Sequence, residues 1–299
     1  MTDDIWKALG IGIFGLFVVH GSLEPRVRRD AVAQVQESFH NTGTVRASVK
    51  ARGALGLLAN DIYSVDVYGE NNKASELPFQ LYPRGGWKGS IRHLRVHLKN
   101  FELNGLKVAG MEGDIPFVKY DITHALLRDR LHLRGAEQGT ATVILSAENI
   151  RAFLEKKFGN AVTEAVVAFE ANRIVITGKF LLLASRQPFR AVSGLAIKQG
   201  RIELVDMEFL LNNRPLPAVS LASILKQMNP VLDVGRDLNM EGIFMLRKVS
   251  LLADTVRVEG DLRLPIVHFI NRSLPWPPPK PGIPPDPMSI TDEEGEREP

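Results

Sequence analysis

Apolar and polar residues alternate with period two through most of the 299-residue chain, and this pattern restricts its fold more than any other feature. Successive strand side chains point to opposite faces, so an alternating segment has one face to bury and one to leave in water. Val45, Ala47 and Val49 alternate with Arg46, Ser48 and Lys50; Tyr63, Val65 and Val67 alternate with Ser64, Asp66 and Tyr68. Over 91–103, Leu94, Val96 and Leu98 take one face while His93, Arg95, His97 and Lys99 take the other. The phase slips at Asn100 so that Phe101 and Leu103 continue, and a one-residue slip predicts a β-bulge. Further strands are expected near 131–133, 140–145, 165–169, 173–183, 189–198 and 201–211, with a last group over 243–264. Short turns between them predict mostly antiparallel pairing.

Three segments switch to helical spacing. Val27, Ala31, Val35 and Phe39 recur at i, i+4 between 24 and 39. Ser146 suits the cap of a helix over 147–158, with Ile150, Phe153, Leu154 and Phe158 as its apolar stripe and Gly159 as its stop. A third helix is expected over 220–232 from Leu221, Ile224, Leu225 and Met228, kinked or ended at Pro230. Strands and helices with one apolar face must bury them together. The expectation is an α+β fold in which a long curved antiparallel β-sheet wraps around amphipathic helices.

The ends differ from this middle. Residues 8–19 are uncharged and apolar, the length of a signal-peptide core, and extending the run to 5–23 gives a short membrane anchor containing Lys7 and His20. Asp3 and Asp4 are unusual for a signal peptide, and Arg26, Arg28 and Arg29 favour retention of the adjoining domain in the cytoplasm. A buried N-terminal helix is the alternative. Residues 275–287 hold eight prolines, and 291–299 are acidic without large hydrophobes. Neither stretch can build a core, so an extended spacer and a solvated tail are expected, with a protein partner for the prolines as the alternative. The chain thus divides into an anchor or signal over 1–23, an α+β domain over 24–265 and a disordered tail over 266–299. This organisation predicts a protein at the cell membrane, anchored or exported.

Chemical motifs are scarce. The absence of cysteine excludes disulfides, thiolate metal sites and cysteine nucleophiles. A formal charge of +3, without clustered Lys and Arg, gives no reason to expect nucleic-acid binding. No phosphate-binding loop, dinucleotide fingerprint, nucleophile elbow or zinc-protease helix occurs. His93 and His97 share a strand face but lie about 13 Å apart at 3.3 Å per residue, too far for one ion, so no metal is expected. They read as part of a solvated basic face able to meet phosphate or a membrane. His124 and His132 have no partner at a recognised spacing and read as structural or surface residues. Asp114, Asp121 and Asp129 are dispersed in loop-like sequence, leaving a hydrolase as a third function class. No cofactor is expected.

The amount of one-faced strand invites a lipid reading, because a curved sheet around helices either fills its interior or leaves an apolar cavity for acyl chains. The order of VRASVKARGALGLLANDIYSVDVYGE, WKGSIRHLRVHLKNFELNGLKV, ATVILSAENIRAFLEKK, NRIVITGKF and LPAVSLASILKQMNP resembles the LmeA-like phospholipid-binding proteins of the bacterial envelope over 26–265. The resemblance implies a non-enzymatic phospholipid-binding domain with a fold similar to the tubular lipid-binding proteins. It transfers no catalytic or lipid-contact residue. Joined to the strand pattern, it makes Leu94, Val96, Leu98, Phe101, Ile174, Ile176, Phe180, Leu182, Met207 and Phe209 the candidate acyl-chain lining, with Arg95 and Lys99 at a head-group rim. The competing reading is a membrane-anchored structural or adaptor protein with a filled β-rich core and a partner-binding tail.

Overall fold

The computed structural model describes residues 23–40, 42–51, 61–74, 78–83, 88–127, 131–182 and 185–266. All lie in the unit Met1–Val267. All but the last residue of the expected anchor over 1–23 and all but the first of the expected tail over 266–299 lie outside the described residues, and no described helix is long and apolar enough to cross a membrane.

Helix α1 (Leu23–Ser38) leads into β1 (Thr44–Ala51), β2 (Asp61–Glu70), the two-residue β3 (Lys73–Ala74), and the long hairpin β4 (Lys88–Leu103) and β5 (Leu106–Asp121). A short α2 (Ile122–Leu127), β6 (Leu133–Gly135) and β7 (Gly139–Ser146) precede α3 (Ala147–Phe158). Four strands come next, β8 (Val162–Glu170), β9 (Arg173–Leu182), β10 (Ser185–Lys198) and β11 (Arg201–Leu211). The last elements are β12 (Arg214–Pro215), α4 (Ala218–Met228), β13 (Leu232–Asp233), α5 (Val234–Leu238), β14 (Phe244–Leu251) and β15 (Thr255–Leu262). The expected α+β class is found, but as two sheets. The first is strongly curled and runs β1-β2-β4-β5-β7-β15-β14, with β3 beside β4 and β6 beside β5; the second runs β12-β11-β10-β9-β8, with β13 beside β11. Pairing is antiparallel except where β2 and β3 run parallel to β4.

Local chemistry explains several boundaries. Ser146 and Asn149 form a reciprocal capping box at the start of α3, and Gly159 stops it at φ 53°. The third helix of the sequence pattern, α4, begins two residues earlier than expected and ends at Met228, before Pro230. Beyond it the Asn229 carboxamide accepts from the Leu204 N–H at 2.8 Å and donates to its carbonyl at 3.0 Å, completing the free edge of β11 as a strand would. The phase slip at Asn100 is real, but no residue is inserted on one strand. Lys99 pairs with Gly110 and Phe101 with Val108, so the register runs through unbroken. Buried positions in β5 slip in step, from Leu106 and Val108 to Met111, Gly113 and Ile115. The hairpin therefore keeps one face inward along its whole length.

The core sits on that inward face. The stripe Val27, Ala31 and Val35 of α1, continued by Phe39 just past it, is buried, with α1 packed chiefly on β1. A Cβ at Gly69 would fall 2.6 Å from the Asn72 side chain, 2.7 Å from Leu98 Cδ2 and 3.3 Å from Phe39, so the bare backbone of glycine leaves room for all three side chains.

Strand β5 is absent from the sequence expectation, and it corrects the placement of two acids: Asp114 and Asp121 are not in loops. Asp114 lies mid-strand, and Asp121 ends β5, fully buried and ion-paired with Arg134 of β6. Asp121 also caps α2, accepting from the His124 N–H at 3.2 Å. His124 therefore has a carboxylate partner, with its Nδ1 3.0 Å from Asp121, and its ring stacks on His132, which stacks on Tyr82. Asp129 lies outside the described residues. Burial would raise the Asp121 pKa. The Arg134 hydrogen bond, the His124 N–H and the Arg134 charge outweigh it and bring the carboxyl down to about 2. A depressed folded-state value stabilises above the unfolded pKa and is lost as pH falls toward the folded one. Denaturant unfolding should therefore show about 2 kcal/mol of stability disappearing between about pH 4 and pH 2, and Asp121→Asn should remove that part of the acid dependence.

Candidate lipid site

Between the curled sheet and the second sheet the inward side chains meet in an apolar interior. Two voids lie there. The first is bordered by Phe101 and Leu103 of β4, Leu106, Val108 and Met111 of β5, Val143 and Leu145 of β7, and residues of β13, α5, β14 and β15. The second adds Ile150 and Phe153 of α3, Ile174 of β9, Leu195 of β10 and Ile202 of β11. They share Leu106, Leu145 and Leu232, and neither exposes polar surface. Each encloses about 30 Å³. Sites for organic ligands run to roughly 300–1,000 Å³, so an acyl chain would enter only by moving the sheets or α3 apart. Dry voids with no polar partner are not hydrated, so expansion disrupts no polar network.

The candidate lining residues fall into three places. Phe101 borders the first void and Ile174 the second. Leu94, Val96 and Leu98 are buried farther along β4, where Leu98 and Phe39, just past α1, both lie beside Gly69. Ile176 and Met207 are buried in the second sheet. There Phe180 and Phe209 join Phe189 in an aromatic cluster, Phe189 stacked on Phe209 at 5.3 Å and Phe180 edge-on to both. The Leu182 side chain lies outside the described residues. Sequence reasoning misses the shared residues Leu106, Leu145 and Leu232. A signal for Leu106 is present, because Asn104-Gly105 is a hairpin-turn dipeptide and both residues have positive φ, 49° and 84°.

The basic face of β4 is more paired than its sequence suggests. Arg95 lies 3.5 Å from Asp66 and 3.8 Å from Asp114, and His93 lies 3.2 Å from Asp114. His97 stacks on Tyr68 at 4.9 Å, while Lys99 is exposed. Among the described residues no group of three His, Asp or Glu side chains could hold a metal ion.

A curled sheet around an amphipathic helix, with voids in its interior that expose no polar surface, suits a lipid-binding domain. The family model that matches the chain is described as LmeA-like phospholipid-binding, and its match runs over residues 85–261, from just before β4 into β15. The chain belongs to the LmeA-like phospholipid-binding family. No curated protein and no solved structure matches it. Every residue bordering the two voids falls within the LmeA-like match, whereas α1 and β1–β3 lie before it. Leu145→Ala should cost about 2–5 kcal/mol in denaturant unfolding, because the side chain borders both voids and its removal enlarges them.

Proposed function

We propose that this LmeA-like protein is a non-enzymatic phospholipid binder of the bacterial cell envelope, taking acyl chains into the interior around Leu106, Leu145 and Leu232. The observation that carries the reading is the pair of adjacent, wholly apolar voids inside a family described as phospholipid-binding. Each CH₂ moved from water into such an interior contributes ~0.8 kcal/mol, so a chain of about 16 carbons supplies on the order of 10 kcal/mol before ordering costs. Part of that gain is spent on opening the voids. Phe101 and Ile174 then contact the chain first, and Phe180, Met207 and Phe209 line its continuation if the opening spreads into the second sheet. Contact with the membrane through residues 1–23 and capture of a protein by the proline-rich tail belong to the same proposal.

The small volume of the voids favours a second reading, the filled-core adaptor. A phospholipid with a fluorescent acyl chain separates the two. The full-length protein should enhance its fluorescence saturably, and Leu145→Trp, which drives a large ring into the volume between the two voids it borders, should abolish the enhancement while far-UV circular dichroism stays unchanged. No uptake by the wild-type protein, with the proline-rich tail still capturing a partner, would favour the adaptor.

A further inference from the structure

At one end of β4 and β5 the curled sheet carries an open groove of about 330 Å³. Three neighbouring strands set its charges in one row: Lys73 of β3 pairs in register with Glu102 of β4, and Glu102 with Lys107 of β5. Asn71 and Asn100 are exposed beside them, and Asn149 of α3 closes the groove. The Lys73 Nζ lies 3.7 Å from Glu102. Glu148 of α3, whose charge Lys107 feels, is held by Arg151 at 2.9 Å. Among the described residues Lys107 makes no side-chain ion pair or hydrogen bond.

The groove adjoins the apolar interior along a seam that no β-ladder closes. The β5–β7 ladder extends only from Gly110 to Asp114, with Gly110 opposite Ile144. Continuing that register would set Val108 opposite Ser146 and Leu106 opposite Glu148, but the chain turns into α3 at Ala147. Along this seam neighbours in sequence face opposite environments. Lys107 and Asn149 border the groove, while Leu106 and Ile150 border the voids. Parting a helix from a strand edge breaks side-chain packing rather than a run of backbone hydrogen bonds, so this is the wall of least resistance.

We propose that the groove binds a phosphate ester, the head group of the phospholipid, through Lys107 and Lys73 with Asn71 and Asn100, and that the acyl chains pass between β5 and α3. The inference rests on the phospholipid reading and assigns its polar end. It moves the head group away from Arg95, which two carboxylates already engage, to the far end of the same strand.

The test compares the full-length protein with a Lys73→Gln, Lys107→Gln double variant, whose two positions are exposed and which removes both cations without setting like charges across the strands, so its thermal unfolding should stay close to the wild type. Binding is measured for phosphatidate, for diacylglycerol with the same chains, and for soluble glycerol phosphate. The double variant should lose about tenfold or more in phosphatidate affinity, the scale of one lost charge-assisted contact, with diacylglycerol binding unchanged. Glycerol phosphate should not compete. Equal phosphatidate affinity in variant and wild type would overturn the groove while leaving the interior reading intact. Glycerol phosphate bound as tightly as phosphatidate would make the groove a site for free phosphate esters and overturn the head-group assignment. Failure of the wild type to bind either lipid would overturn the phospholipid reading itself, and this inference with it.

Discussion

A curled sheet that is apolar on its concave face is unstable until something covers that face, and this need organises the whole chain. Helix α1 covers one stretch with the stripe Val27, Ala31 and Val35, continued at the same i, i+4 spacing by Phe39 just past its end. The other stretch is covered by the second sheet, α3 and the β13–α5 segment, whose Leu232, Val234 and Leu238 turn inward. The two covers differ in consequence. The first is a single helix, whereas the second is a junction of several elements that leaves unfilled volume among large aliphatic side chains.

That junction is also where backbone pairing is weakest. Continuous ladders join β4 to β5 over the length of the hairpin and β7 to β15 through eight residue pairs. Only side-chain packing holds β5 to α3 past Gly110. A lipid-binding protein needs an interior that is stable when empty and able to open without unfolding, and a helix laid along an unladdered strand edge meets both needs. The groove with Lys73 and Lys107 opens on that same seam, which sets polar recognition and apolar burial side by side, as an amphipathic ligand demands.

Local signals are legible in the sequence and long-range ones are not. Ser146, Ile150, Leu154 and Gly159 mark α3 to within a residue because caps and stripes are written in neighbouring positions. Strand β5 is obscured by Gly110, Gly113 and Pro116, which read as loop, and by a phase slip shared with β4 that only the register displays. The parallel pairing of β2 with β4 depends on where the intervening chain travels. Among the candidate lining residues, Phe101 and Ile174 reach the voids while Leu94, Val96 and Leu98, on the same apolar face, border neither, a distinction between two parts of one face that alternation does not encode. Likewise Arg95 looks available in the sequence because Asp66 and Asp114 are distant along the chain, and they meet it only across neighbouring strands.

An apolar interior that opens to hold phospholipid is the central claim. Native mass spectrometry of the full-length protein, purified from membranes and transferred from a mild releasable detergent, tests it most directly. Such an interior predicts a stoichiometric adduct whose mass and extracted chemistry are those of a phospholipid. A protein that is empty, folded and still without adduct after incubation with phospholipid vesicles would contradict it.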